Sequence, residues 1–123
     1  MISKNYLYVV VGVSDNPEKY GYKVFKDLLD NGYRVVPINP RHQEILGQPC
    51  FKGLMDLKKL PDVLIFVVPP VIALSVFKEA LDLGIKKFWF QPGAESEEAR
   101  KLAQEKNVEA VFQACIMIEK NKL

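Results

Sequence analysis

Short apolar runs alternate with segments of helical period along this chain, and that alternation constrains its fold more than any other feature. The run YLYVVV (6–11) is rich in β-branched and aromatic residues and stops at Gly12, as a strand buried on both faces does. In GYKVFKDLLDNG, Val24, Phe25, Leu28 and Leu29 fall on one helical face, and Lys23, Lys26, Asp27 and Asp30 on the other. Gly32 is placed to end that helix as a left-handed cap. YRVVPI (33–38) is a second strand, in which Pro37 lacks an N–H and belongs near the strand's end or at a sheet edge. The longer connection that follows is predicted to hold a short strand at 49–51 and a short helix at 55–60.

DVLIFVV (62–68) is a third strand, stopped at Pro69-Pro70, and the helix VIALSVFKEALDLG runs from Val71 to a cap at Gly84. KKFWF (86–90) leads through QPGAES into a helix with Ser96 as N-cap and Glu97 and Glu98 at the positive end of its dipole. EAVF (109–112) is the last strand, and the tail QACIMIEKNKL has no decisive period. Strands alternating with helices imply a parallel sheet covered on both faces. The predicted fold is therefore α/β: a Rossmann-like doubly wound parallel sheet of about five strands, three layers α/β/α, with residues 1–123 as one domain.

A formal charge of +2, with lysines scattered along helices, gives no basic stripe for nucleic acid. Cys50 and Cys115 form no Cys-x-x-Cys pair and His42 is the single histidine, so neither a zinc cluster nor a disulfide is expected. The apolar run before Gly12 is too short for a signal segment or a membrane span. The expectation is a cytoplasmic protein with no nucleic-acid or membrane partner.

In an open parallel sheet, ligands bind at the carboxyl ends of the strands, where the winding reverses. Here that point falls between strands 6–11 and 62–68. Gly12, Val13 and Ser14 form one wall and Val68, Pro69 and Pro70 the other, flanked by Asn39, Pro40 and Arg41 and by Gln91, Pro92 and Gly93. Gly12 lets a backbone approach a phosphate, and the N–H groups opening the next helix face an anion. On this reading a branched side chain at position 12 blocks binding and leaves the fold intact. An NAD site carries an acidic residue after the second strand, about 20 residues beyond the glycines. This chain has Arg41 there and no carboxylate until Glu44, which suits a ligand with an extra ribose phosphate. NADP and coenzyme A both qualify. Pro69-Pro70 removes two donors in succession, a wall fit for adenine or a pantetheine arm. Trp89 and Phe90 read as core, and Cys115 as a small buried hydrophobe, with a thiol near the pocket mouth as the alternative. Tyr20 and Tyr22 are either a cover for the nucleotide or ordinary helix-start aromatics.

With these residues in place, the chain resembles a known family. The run VVGVSDNPEKYGYKVFKDLLDNGYRVVPINPRHQEILGQPCFKGLMDL, then VVPP, GIKKFWFQPGAESEEARKLA and ACIMIE, is similar to the small coenzyme A-binding domain proteins. These in turn are similar to the amino-terminal domain of the succinyl-coenzyme A synthetase α subunit. The resemblance implies coenzyme A (CoA) or acyl-CoA as ligand. Gly12, Val13 and Ser14 would lie on the nucleotide phosphates, Arg41 near the ribose phosphate, Val68 and Pro69 along the adenine or pantetheine path, and Gln91, Pro92 and Gly93 closing the site. The phosphohistidine domain of the synthetase has no counterpart here, and His42 has no evident carboxylate partner in the sequence. No nucleophile elbow, carboxylate pair or Cys-His pair points to catalysis by this chain alone. The expected role is CoA binding without chemistry, with a homo-oligomer or a partner subunit open. The competing class is an NADP-dependent or acyl-CoA-handling enzyme completed by a partner.

Overall fold

The structure is a computed structural model and describes residues 2–123. In chain order it forms β1 (Leu7–Val11), α1 (Tyr20–Asp30), β2 (Arg34–Ile38), a small hairpin of β3 (Glu44–Ile45) and β4 (Gln48–Pro49), a 3₁₀ turn at Leu54–Asp56, and β5 (Val63–Phe66). These are followed by α2 (Pro70–Asp82), β6 (Lys87–Phe90), α3 (Glu97–Lys106), β7 (Glu109–Val111) and α4 (Ile116–Lys120). The main sheet runs β2-β1-β5-β6-β7 with every pairing parallel. The winding therefore reverses between β1 and β5, as expected. β2 is the edge strand of the main sheet, and Pro37 turns its polar groups outward, where its carbonyl accepts from the Phe51 N–H, so the N–H it lacks is not one that β1 needs.

Alternation along the strands divides the core into two layers. Tyr8 and Val10 of β1 pack with Val24, Phe25 and Leu28 of α1 and Ile116 of α4. Val9 and Val11 face the other way, into a cluster with Ala73 and Phe77 of α2 and Ala99 and Ala103 of α3. Phe66, Phe77, Phe88 and Phe90 form the aromatic centre of that second layer, with Phe66 and Phe90 4.5 Å apart between ring centroids. Trp89 and Phe90 are core residues on opposite faces, as read from the sequence.

Helix ends follow local chemistry. The Ser96 hydroxyl accepts a hydrogen bond from the Ala99 N–H at 3.1 Å, capping α3. After α1, the Gly32 and Tyr33 N–H groups reach back to the Leu29 and Leu28 carbonyls, the paired bonds of a glycine-terminated helix. Three local expectations change. α2 starts at Pro70, since proline is well accommodated in a first helical turn where its missing N–H has no partner to lose. The helix expected at 55–60 contracts to the 3₁₀ turn. The strand expected at 49–51 divides between β4 and a bridge from Phe51 to Ile38.

The ambiguous tail becomes α4 because it finds polar anchors on the α1 face. Trp89 Nε1–H donates to the Ala114 carbonyl at 2.9 Å. Lys120, buried in the last turn, places Nζ 3.3 Å from Asp27 Oδ2 of α1. That oxygen is buried and takes no hydrogen bond among the described residues, so the lysine charge is its compensation. Lys120→Met is expected to destabilise the fold by about 1–2 kcal/mol, less than a fully buried broken pair because Asp27 is partly solvated. Adding Asp27→Leu should recover most of the loss in a urea-unfolding series. A single mutant with an unchanged midpoint would refute this role.

Candidate functional site

The four strand-end loops named from the sequence do converge on the carboxyl edge of the sheet, and they divide into a floor and a cleft. The floor begins at Gly12, whose φ of +101° lies in the left-handed region. A Cβ there would stand 2.5 Å from the Val67 carbonyl oxygen and 2.5 Å from Val68 Cγ1, so the walls built by β1 and β5 touch through this glycine. Gly21, the second residue of α1, seals the opposite side: its Cβ would lie 2.2 Å from the Gly12 carbonyl oxygen. Both glycines are therefore needed for packing. The expectation that a branched residue at position 12 disturbs only the ligand is corrected, since it would collide with backbone first.

The first loop also differs in its donors. Gly12 and Val13 direct their N–H groups to the Ile38 carbonyl, at 3.1 and 3.4 Å, and Val13 is buried. The loop is then shaped by its own side chains: Ser14 Oγ accepts from the Asn16 N–H and Asn16 Oδ1 from the Glu18 N–H. Among the described residues, Ser14 and Asp15 are left as the turn's N–H groups with no internal acceptor.

Asn39 ties this loop to the second. Its Nδ2 donates to the Val13 carbonyl at 2.7 Å and its Oδ1 accepts from the Arg41 N–H at 2.9 Å. Its side chain is thus a strut, and what it positions is Arg41. Pro40 and Arg41 are exposed, and the Arg41 guanidinium forms no ion pair among the described residues. Asp15 faces His42, with Oδ1 3.7 Å from Nε2. The histidine therefore has a carboxylate partner after all, brought from the first loop by the fold. Glu44 is exposed and lies in the β3–β4 hairpin, opposite Pro49.

On the other side of Val68 a cleft of about 360 Å³ opens, lined by Tyr20, Val67, Val68, Pro69, Pro70, Pro92, Gly93 and Ala94. Val68, Pro69, Pro70, Pro92 and Gly93 were all named from the sequence, whereas Val67 and Ala94 were not. Tyr20 resolves towards the cleft reading. Tyr22, on the next face of α1, lines a separate hollow with Lys23 and Met117. The Gly93 N–H is held by the Glu95 carboxylate at 3.1 Å.

Beneath the cleft, Gln91 is fully buried with its amide committed to the protein. Oε1 accepts from the Ile116 N–H at 2.8 Å, and Nε2 donates to the Tyr20 hydroxyl at 2.7 Å and to Cys115 Sγ at 3.4 Å. Gln91 supports the cleft rather than presenting a free donor to it. The Tyr20 hydroxyl in turn donates to Cys115 Sγ at 2.9 Å. Cys115 is therefore half-buried and polar-partnered, not the inert hydrophobe its sequence context suggested. Burial pushes its thiol up, but the Tyr20 and Gln91 donors and the Ile118 and Met117 backbone outweigh that and hold it below the ordinary cysteine value. Burial, then the bond to Cys115, raises Tyr20 far above the usual phenol range.

A larger hollow of about 460 Å³ lies between α3 and β7, where Arg100 rests 4.6 Å over the Phe112 ring. It is remote from the reversal of winding, which favours the Tyr20–Pro70 cleft as the site.

Residues 7–121 match the family described as the CoA binding domain. The chain belongs to that family. The fold is closely shared by a conserved hypothetical protein of Pyrococcus furiosus, with TM-score 0.88 at 50% identity over 92% of this chain and 97% of that one. In sequence the chain is 30% identical over 109 residues to the uncharacterized protein YneT of Bacillus subtilis, covering 89% of this chain and 81% of that protein. It is 34% identical over 77 residues to an ADP-forming acetate–CoA ligase of Methanocaldococcus jannaschii, which accounts for 63% of this chain but only 11% of the ligase. The chain thus corresponds to a small part of such ligases. Among the described residues no helix is long and apolar enough to cross a membrane.

Proposed function

We propose that this chain binds CoA or an acyl-CoA across the reversal point of its sheet, and that it performs no reaction by itself. The observation that carries the reading is the pairing of two features on one sheet edge. One is an apolar, donor-poor cleft walled by Pro69, Pro70 and Pro92; the other is Arg41, whose backbone is held by Asn39 and whose guanidinium has no ion pair among the described residues. The cleft suits the adenine or pantetheine portion, and Arg41 suits the ribose phosphate. The free N–H groups of Ser14 and Asp15 suit the diphosphate. Gly12, Val13, Asn39 and Gln91 then act from behind, as the backbone and struts that set these groups in place. Family membership supports the ligand class. The ligases to which the chain is partly similar support a second element: a homo-oligomer or a partner subunit supplying whatever chemistry follows binding.

The alternative ligand is NADP, because Arg41 would serve its ribose phosphate equally well. A thermal-shift panel of CoA, acetyl-CoA, NADP, NAD and ATP distinguishes them. A ligand at a hundredfold over its dissociation constant adds about 2.7 kcal/mol to the folded state. CoA or acetyl-CoA is expected to raise the melting temperature most, with NAD near zero. A larger shift with NADP would transfer the site to a reductase reading, and a larger shift with NAD would remove Arg41 from it.

A further inference from the structure

We propose that β7 is the docking edge for a second copy of this chain. The two copies join antiparallel about a two-fold axis at Ala110, so that two five-stranded sheets become one. This interface stands independently of CoA binding.

The two edges of the main sheet are finished differently. Along β2, Pro37 lies in the strand and the Phe51 backbone occupies the outer side. The Phe51 N–H donates to the Pro37 carbonyl at 3.1 Å, and its carbonyl accepts from the Asn39 N–H at 2.9 Å. That edge is closed to another strand. β7, at the other end, contains no proline, and among the described residues no strand or bridge pairs with its outer side. Bonding alternates from residue to residue along a paired strand. The Glu109 N–H turns inward to the Lys86 carbonyl at 3.0 Å, so the N–H and C=O of Ala110 turn outward, as does the N–H of Phe112. Among the described residues neither N–H has a backbone acceptor.

The groove beside that edge matches its own copy. Val108, Ala110 and Phe112 share the α3 face of the sheet and floor the 460 Å³ hollow, with Arg100, Gln104 and Asn107 on its helical wall. An axis at Ala110 sets Val108 of each copy against Phe112 of the other, an aromatic with β-branched pair of the kind that stabilises neighbouring strands. The two Ala110 residues then exchange both of their backbone bonds.

Charge agrees with the same axis. Arg100 sits over Phe112 and has no ion pair among the described residues. Across the axis it meets the Val108 end of the other copy, where Gln104 and Asn107 offer amide oxygens. The two guanidinium groups stand about 13 Å apart along the strands, beyond the reach of unscreened repulsion. α3, the crossover between β6 and β7, lies over those strands, so the two copies of α3 run antiparallel about 10 Å apart, an ordinary helix-packing distance. Each begins with Glu97 and Glu98 and ends with Lys106, so the acidic turn of one approaches the basic turn of the other. The carboxyl edges of the two sheets point in opposite directions, which leaves both Pro69–Pro92 clefts open.

The test is sedimentation equilibrium of the full chain without ligand, from about 1 μM to about 1 mM. The mass is expected to rise with concentration towards twice the 14.0 kDa of one chain. Ala110→Pro removes an outward N–H and spares the inward ladder, as an edge strand tolerates. It should weaken association at least about tenfold, because the two-fold repeats each lost bond. Register is read separately by oxidation and peptide mapping. Ala110→Cys should form an intermolecular disulfide through position 110, where the paired Cα atoms stand about 5.5 Å apart. Val108→Cys, opposite Phe112, should not. Should the proline variant fail to fold, this cysteine pair decides alone. A single-chain mass at every concentration would give the edge to a strand of another protein and overturn the proposal. So would a dimer indifferent to Ala110→Pro in a folded variant, or equal cross-linking at positions 108 and 110. Because no ligand is present, failure of CoA to bind removes the ligand reading and leaves this interface standing.

Discussion

Gly21→Ala is expected to destabilise the protein by about 3 kcal/mol, although alanine is ordinarily the better helix former by up to about 1 kcal/mol. The sign reverses because the added methyl would stand 2.2 Å from the Gly12 carbonyl oxygen, a backbone atom that cannot swing aside. Gly12 is itself pinned by its N–H to the Ile38 carbonyl and by contact with Val67 and Val68. Relief therefore requires α1 to move as a body, and its first residue, Tyr20, lines the cleft. Thermal unfolding should show a fall of about 10 °C or more for a domain of this size. CoA binding should weaken together with stability. A melting temperature equal to wild type would refute the close approach. Gly12→Val should behave still more severely, because it adds a positive φ to a backbone collision. It is therefore a folding mutant and cannot report on binding.

Arg41→Ala is the substitution that does report on binding, since the side chain is exposed and free of ion pairs among the described residues. If its guanidinium meets the ribose phosphate, the mutant should lose about 1.5–3 kcal/mol of CoA affinity, the worth of a charged hydrogen-bonded contact. Dephospho-CoA, which lacks that phosphate, should bind both proteins alike. Titrating both ligands into both proteins by calorimetry closes a double cycle and isolates the pair. Salt should weaken the wild type more than the mutant, because the contact is open to solvent. Fold stability should hardly change, as the strut from Asn39 holds the Arg41 backbone N–H, not its side chain. A coupling near zero would return Arg41 to a solvated loop and leave the phosphate to Lys19 or His42.

The two glycines and the arginine mark how far the sequence was legible. Strand and helix identities came from periodicity, a local property of the chain: apolar runs for β1, β5 and β6, amphipathic spacing for α1, and a Ser-Glu-Glu start for α3. The order of the sheet followed because right-handed crossovers between parallel strands leave few alternatives. That order puts the candidate site on one edge, so Val68, Pro69, Pro70, Pro92 and Gly93, which line the cleft, could be named from the sequence. The tail was not legible, since α4 is held by bonds from Trp89, Gln91 and Asp27, all distant in sequence.

From sequence alone came the fold class, the reversal point and a short roster of loop residues around it, because each depends on neighbours along the chain. Tertiary structure decided which roster members line the open cleft or stand exposed beside it, and which hold the others in place. Asn39 and Gln91 look like donors in sequence, yet their amides are consumed by Val13, Arg41, Tyr20 and Ile116. Cys115 looks inert, yet it lies against Tyr20 across most of the chain's length. The physical reason is that hydrogen bonds and close packing are pairwise and directional. A residue's type says which partners it can take, and only the folded arrangement says which partners reach it first.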